Sequence, residues 1–292
     1  MNASSVRAIL ARHGLIARRD LGQSFLIDDA MATRLVKLSG VEPGETVIEI
    51  GAGLGTLSVA LAARAARVVA LEIDAGLVRA LRAERVLPPN VELLHADALR
   101  ADLAGLIHGP TRLVANLPYS VASPLLRRLL DLRGELIDWS VMLQREVALR
   151  LTAAPDSRAY GSLAVLHALT VDVAKCADLA PGLFYPPPRV RSTFLRITPL
   201  RVPKLAPGEL AGVERFVRAA FSKRRKTLCN ALRGSELGPA AGAAPGALEL
   251  LLERLAIDPR ARAESLAPER LLELARALTA GSAGAAEAAP WS

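Results

Sequence analysis

Cysteine is almost missing from this chain of 292 residues: only Cys176 and Cys229 occur, far apart. That excludes a disulfide framework and a cysteine-based zinc site, and it fits a reducing, cytoplasmic location. The four histidines, His13, His95, His108 and His167, lack metal-ligand spacing, so no metal is expected. Long apolar runs are lacking too. The stretches present are short and broken by charge, so no membrane helix is expected. The N-terminal segment carries Arg7, Arg12 and His13 with no small-residue cleavage site after it, so no targeting signal is expected. Aromatic residues are scarce at 3%, which makes the placement of Phe25, Tyr119, Phe184 and Tyr185 informative below.

Hydrophobic residues reach 51% and charged residues 23%, enough for a sizeable core and too apolar for wholesale disorder. Lys plus Arg (37) exceeds Asp plus Glu (29), giving a formal charge of +8. A globular chain that basic points to a polyanionic partner, either nucleic acid or an anionic membrane surface.

Short apolar runs at 46–50, 67–71, 91–94, 112–115 and 140–143 alternate with helical spacing at 54–65, 77–85 and 124–132. Buried strands alternating with amphipathic helices predict a parallel α/β sheet covered on both faces. Stretches 171–174 and 192–198 extend it. Pro and Gly from Pro199 to Gly208 mark a boundary, and helical patterns follow at 213–221, 228–232, 248–255 and 271–278. Gly234 to Gly246 reads as a loop. The expected domains are 1–200, a small helical domain at 201–280, and a disordered tail at 281–292.

Glu49-Ile50-Gly51-Ala52-Gly53-Leu54-Gly55 leaves the first of these strands and enters a helix. Glycines there let the chain turn sharply and let a ligand approach the backbone. A dinucleotide fingerprint needs a glycine at position 56, where Thr56 stands, so the loop suits a cofactor without a pyrophosphate. By itself the loop is as readily a tight turn. Glu72 ends the next strand, placed to accept a ribose hydroxyl pair, and Asp97 follows the third, placed to accept from an adenine amino group. Either acid alone could instead cap a helix. The loop and both acids in this order resemble the class I S-adenosylmethionine-dependent methyltransferases. The fold implied is an α/β, Rossmann-like sheet with helices on both faces, plus the small C-terminal helical domain.

Asn116-Leu117-Pro118-Tyr119 ends the fourth strand on the same edge. It matches the signature of methyltransferases that modify exocyclic amino groups. An adenine N6 lone pair is delocalised into the ring and is a poor nucleophile. Acceptors on its two hydrogens, the Asn116 oxygen and the Leu117 carbonyl, favour a pyramidal nitrogen and stabilise its developing charge. Pro118 fixes that carbonyl through its φ, and Tyr119 stacks on an extruded base. The alternative is an ordinary strand-end turn, with Tyr119 in the core.

Further segments complete a pattern: Arg18-Arg19-Asp20-Leu21-Gly22-Gln23-Ser24-Phe25-Leu26, Gln144-Arg145-Glu146-Val147, 184–192 with its three prolines, Phe221-Ser222-Lys223-Arg224-Arg225-Lys226-Thr227, and 257–264. Together these resemble the ribosomal RNA adenine N6,N6-dimethyltransferase family, in its branch acting on small-subunit (16S) rRNA, from about Arg12 to Leu278. The resemblance implies the cofactor S-adenosylmethionine and a substrate of two adjacent adenosines in a hairpin near the 3′ end of that RNA, met in a pre-30S particle. It implies cofactor contacts at Ser24, Leu26, Gly51, Gly53, Glu72, Asp97 and Asn116. It places Phe184 opposite Tyr119, sandwiching the base. Ser24 departs from the family's usual Asn, and Ala52 from a common Pro. Arg18, Arg19, Lys223, Arg224, Arg225 and Lys226 form a candidate track for RNA phosphates, against the reading of a solvated helix face. A monomer is expected. The alternatives are a large-subunit methylase of the macrolide-resistance type, a non-catalytic assembly factor that keeps the fold, and a DNA adenine methylase. The last is disfavoured because no sequence-reading domain is found.

Overall fold

A computed structural model describes residues 1–18, 22–118, 121–206, 208–223, 225–237 and 246–286, with side chains up to residue 279. Arg19, Tyr119 and Arg224 therefore lie outside the described residues, as do residues 238–245 of the expected loop and 287–292 of the expected tail. The chain divides into two compact units. The first takes Met1–Ala148 and Asp172–Pro199, and the second takes Leu149–Val171 and the chain from Leu200 onward.

The first unit contains α1 (Ala3–Arg12), β1 (Phe25–Leu26), α2 (Asp29–Ser39), β2 (Thr46–Ile50), α3 (Thr56–Ala62), β3 (Arg67–Glu72), α4 (Ala75–Glu84), β4 (Val91–His95), β5 (Thr111–Asn116), α5 (Ala122–Leu129), β6 (Trp139–Gln144), β7 (Val171–Leu179), β8 (Phe184–Tyr185) and β9 (Ser192–Pro199). The chain passes between units within α6 (Arg145–Leu151) and at the first residue of β7. A seven-stranded sheet runs β4-β3-β2-β5-β6-β9-β7. The pairings from β4 through β6 are parallel, and β9 is antiparallel to β6. Sequence order runs outward from β2 in one direction and from β5 in the other. The chain therefore changes direction between β2 and β5, the place where an open α/β sheet leaves a crevice at its carboxyl edge.

Burial explains the strand choice. Val47, Ile48, Val68, Val69, Val114 and Val141 are fully buried, as β-branched residues in a two-sided sheet should be. Helix starts follow capping chemistry. Asp28 accepts from Met31 N–H at 2.8 Å at the start of α2, and Asp74 from Gly76 N–H at 2.8 Å at the start of α4. A smaller apolar cluster joins Val6 and Leu10 of α1 to Phe25, Leu54 and Leu77, fastening the N-terminal helix beside the glycine loop.

At the amino end of the sheet, buried Asp138 accepts from Arg112 and, at 2.7 Å, from Arg196 Nε; Arg112 Nε also donates to Glu45 at 2.7 Å. Burial pushes the Asp138 carboxyl up, opposed by the two guanidinium charges.

The second unit is helical, with α7 (Ser162–Ala168), α8 (Glu209–Phe221), α9 (Leu228–Arg233), α10 (Ala247–Arg254) and α11 (Pro268–Ala286). Its buried side chains include Val165, Val213, Phe216, Val217, Leu271 and Leu274. Two expectations are corrected here. Residues 149–171 group with this unit and not with the first 200 residues, because α7 packs on α8 and α11. Tyr160 joins in: its ring meets Phe221 edge-on at 5.7 Å, and its hydroxyl donates to Leu266 O at 2.9 Å. The second correction is that the last helix runs on to Ala286, so residues 281–286 are helical. An alanine-rich run sustains a helix once its preceding turns are packed. Among the described residues no helix is long and apolar enough to cross a membrane.

Candidate active site

The glycine loop opens directly from β2. Gly51 and Ala52 both donate their N–H groups to Leu71 O, at 2.8 and 3.1 Å, which folds the loop onto the end of β3. Gly51 has φ +83° and Gly53 φ +59°, the left-handed region where a side chain is strained. A Cβ on Gly53 would lie 3.1 Å from Phe25 Cδ1, so the ring of Phe25 rests on the loop. A Cβ on Gly51 would lie 3.5 Å from Asn116 O, so loop and acceptor tetrapeptide are in close approach.

Glu72 takes a hydrogen bond on each carboxyl oxygen, from Gly53 N–H on Oε2 and from Asp74 N–H on Oε1, both at 2.9 Å. Burial pushes its carboxyl above the ordinary value; the two N–H groups oppose this and the Asp74 charge adds to it. Each oxygen keeps a second lone pair for a ligand hydroxyl. Asp97 accepts from Leu99 N–H at 2.8 Å, so it caps the turn after β4 while also lining the cleft. The capping and ligand readings of this residue are thus compatible.

Asn116 Nδ2 donates to Ser24 O at 3.1 Å, and Ser24 Oγ donates to Pro186 O at 2.8 Å. These bonds continue the antiparallel pairing of β1 with β8, in which Phe25 faces Tyr185 and Leu26 faces Phe184. The resulting strap crosses the acceptor end of the cleft. Leu117 donates its N–H to Met142 O at 3.3 Å, so the tetrapeptide leaves β5 still held to β6.

The cleft encloses about 1080 Å³ of space open to solvent. Its walls bring together Ser24, Leu26, Gly51, Gly53, Glu72, Asp97, Asn116, Leu117 and Pro118. Phe184 is 2% exposed, packs in the core cluster with Leu26 and Leu179, and is not among the residues lining the cleft. It pairs with Leu26 on the strap, and Tyr119, its expected partner across the base, lies outside the described residues. Gln23 and Phe25, within the Arg18–Leu26 segment singled out in the sequence, also line the cleft, and sequence reasoning missed Ile73. Gln23 Nε2 donates to Asp74 Oδ2 at 2.9 Å and fixes the segment before β1 against α4. Ile73 is an apolar cleft residue left 47% exposed, a flat apolar face beside the ribose acid. The detectable signal was its position right after a strand-ending acid.

Beneath the loop, Glu49 is fully buried and neither carboxyl oxygen has a hydrogen-bond partner among the described residues. Burial pushes its carboxyl up to about 8; the nearby Ser58 hydroxyl opposes the shift and the Glu72 charge adds to it. Among the described residues no cluster of three metal-ligating side chains occurs.

The family model for "Ribosomal RNA adenine dimethylase" matches residues 14–279. The chain belongs to the ribosomal RNA adenine dimethylase family. It is 41% identical over 279 residues to "Ribosomal RNA small subunit methyltransferase A" of Rhodospirillum rubrum, covering 94% of this chain and 92% of that one. It is 37% identical over 273 residues to the protein of the same name from Magnetococcus marinus, covering 92% and 95%. Its fold is similar to a solved dimethyladenosine transferase from Plasmodium falciparum, with TM-score 0.75, 22% identity, and 88% and 98% of the two chains covered. It is also similar to the solved 23S rRNA methyltransferase ErmE, with TM-score 0.64, 25% identity, and 87% and 99% covered. As a member of this dimethylase family the protein is an adenine dimethyltransferase whose cofactor is S-adenosylmethionine. The residues present fit that cofactor. The close-approach glycines, the Glu72 acceptors and the exposed face of Ile73 suit a backbone-held nucleoside without a pyrophosphate.

Proposed function

We propose that the protein dimethylates N6 of two adjacent adenosines in the hairpin near the 3′ end of small-subunit (16S) rRNA, within a pre-30S particle. The observation that carries this is the setting of Asn116. Its amide nitrogen is engaged by Ser24 O, so its oxygen is the atom directed to an incoming amino group, on the same cleft wall as the glycine loop. The cofactor supplies a methyl group on a good leaving group when bound. Glu72 accepts the ribose hydroxyls, Asp97 accepts the adenine amino group, and Ser24, Leu26, Gly51 and Gly53 shape the wall around them. Asn116 Oδ1 and Leu117 O accept the two N6 hydrogens of the substrate base and stabilise charge developing on nitrogen. Pro118 keeps the Leu117 carbonyl fixed, and Tyr119 stacks on the base. No titrating base is required; in-line positioning does most of the work.

The exposed Arg18, Lys223, Arg225 and Lys226, with Arg19 and Arg224, supply cations for RNA phosphates. The protein acts as a monomer in the cytoplasm, with the first unit carrying the chemistry and the second binding the subunit. The test is to offer purified protein and labelled cofactor both subunits from cells lacking the native modification. Label is expected in small-subunit rRNA. A second reading, large-subunit adenine methylation, draws on the likeness to ErmE and predicts label in large-subunit rRNA instead.

A further inference from the structure

Pro186 begins an arm of chain that ends at β9. At its start, Pro186 O accepts from Ser24 Oγ, and Ser24 O holds the Asn116 amide. At its end, Arg191 O accepts from Arg145 N–H at 2.9 Å, one residue beyond the Gln144–Ser192 pair of β6 and β9. The arm is therefore pinned at the acceptor site and again at the carboxyl rim of the sheet. It carries Arg189 and Arg191, and Arg145 stands against its far end; all three are exposed. Among the described residues none of them has an ion-pair partner. The carboxylate that feels Arg145 is Asp178, already engaged by Lys175 Nζ at 2.6 Å and Thr193 Oγ1 at 2.8 Å. Arg145 lies three residues beyond Met142, whose carbonyl receives the Leu117 N–H. At about 3.3 Å per strand residue that is about 10 Å from the acceptor tetrapeptide, within a few nucleotides of a base held there.

We propose that Arg145, Arg189 and Arg191 form a phosphate-binding rim for the RNA strand immediately flanking the acceptor adenosine. An extruded base must be presented by a backbone whose neighbouring phosphates cross this edge. Guanidinium groups on a pinned arm meet phosphate oxygens in fork geometry with little ordering left to do. The proposal rests on the reading of the site as an RNA adenine dimethylase, and it adds the residues that guide the strand into that site.

The test compares two triple variants of the full chain that lose the same charge. One is Arg145→Gln, Arg189→Gln, Arg191→Gln. The other, a control on α2 and α4, is Arg34→Gln, Lys37→Gln, Arg79→Gln. Binding to undermethylated small subunits is measured across salt concentrations, together with cofactor affinity, KM and kcat. The rim variant is expected to bind subunits about tenfold more weakly and to raise KM by a similar factor. Its plot of log affinity against log salt should be shallower by about 0.7–0.9 for each phosphate that the variant no longer neutralises. Its kcat and cofactor affinity should stay within about twofold of wild type, and the control should change little. An unchanged salt slope and KM in the rim variant overturns the proposal, as does an equal loss in the control. Subunit binding needs no methyl transfer, so a wild-type protein that binds RNA without methylating it contradicts the catalytic reading and leaves the rim comparison decisive.

Discussion

Gly53 donates its backbone N–H to Glu72 Oε2 at 2.9 Å, tying the turn after β2 to the end of β3. One carboxylate thereby shapes the loop and offers acceptors to the cofactor ribose. Glu72→Ala should weaken S-adenosylmethionine binding by about tenfold or more, the scale of losing hydrogen bonds to a charged group. Because burial raises the Glu72 carboxyl above its ordinary value, it takes up a proton at a higher pH than a free carboxylate does. Cofactor affinity should therefore fall as pH is lowered toward that raised value, and the fall should vanish in Glu72→Gln. Calorimetric titration across pH reads both effects.

Asn116→Ala removes the acceptor aimed at the amino group while leaving the glycine loop and Glu72 in place. The expected result is a loss of about a hundredfold or more in transfer rate, the magnitude of removing one group that stabilises a developing charge. Subunit binding should persist. Single-turnover transfer measured beside subunit binding separates the two. Equal losses in both would assign Asn116 a binding role only.

Glu49 makes folding stability depend on pH. Its folded-state carboxyl is pushed up to about 8, whereas the unfolded chain has the ordinary value of 4.5. The folded protein then holds a proton that the unfolded chain releases. Stability from this group is fully present below the unfolded value and is lost as pH rises through 8. The loss between those limits is at most about 5 kcal/mol, at about 1.4 kcal/mol per unit. Denaturant unfolding of Glu49→Gln should show a flatter pH dependence between 5 and 8 than wild type. An identical slope would contradict this.

Asp138 joins Arg112 and Arg196 at the end of the sheet away from the cleft. Asp138→Ala leaves two guanidinium groups without their shared acceptor. It should destabilise the fold by about 3–5 kcal/mol, as removing one member of a buried ion pair does. Thermal melting checks this, and cofactor affinity measured well below the melting temperature should be unchanged.

The strands that position the site were legible because β2, β3 and β5 are short, β-branched, buried runs and β4 is a short apolar one, and each ends in or is followed by a residue with chemistry: Gly51 after β2, Glu72, Asp97 after β4, and Asn116. The strap was not legible. Two-residue strands such as Phe25–Leu26 carry no periodicity, and their pairing with Phe184–Tyr185 joins segments more than 150 residues apart in sequence. No local signal encodes the register that sets Phe184 beside Leu26. The short helix α7 escaped for a similar reason, since packing on α8 and α11 selects it, and α6 spans only seven residues. The helical end of α11 was misread because Ala and Gly after Thr279 look like a tail when the packed turns before them are not in view.

The most direct measurement of the central claim is mass mapping of modified nucleosides after reaction of purified protein with undermethylated small subunits. The account predicts N6,N6-dimethyladenosine at two adjacent positions near the 3′ end of the small-subunit rRNA, with none formed by Asn116→Ala. Methyl groups at other atoms, at other positions, or formed equally by that variant would contradict it.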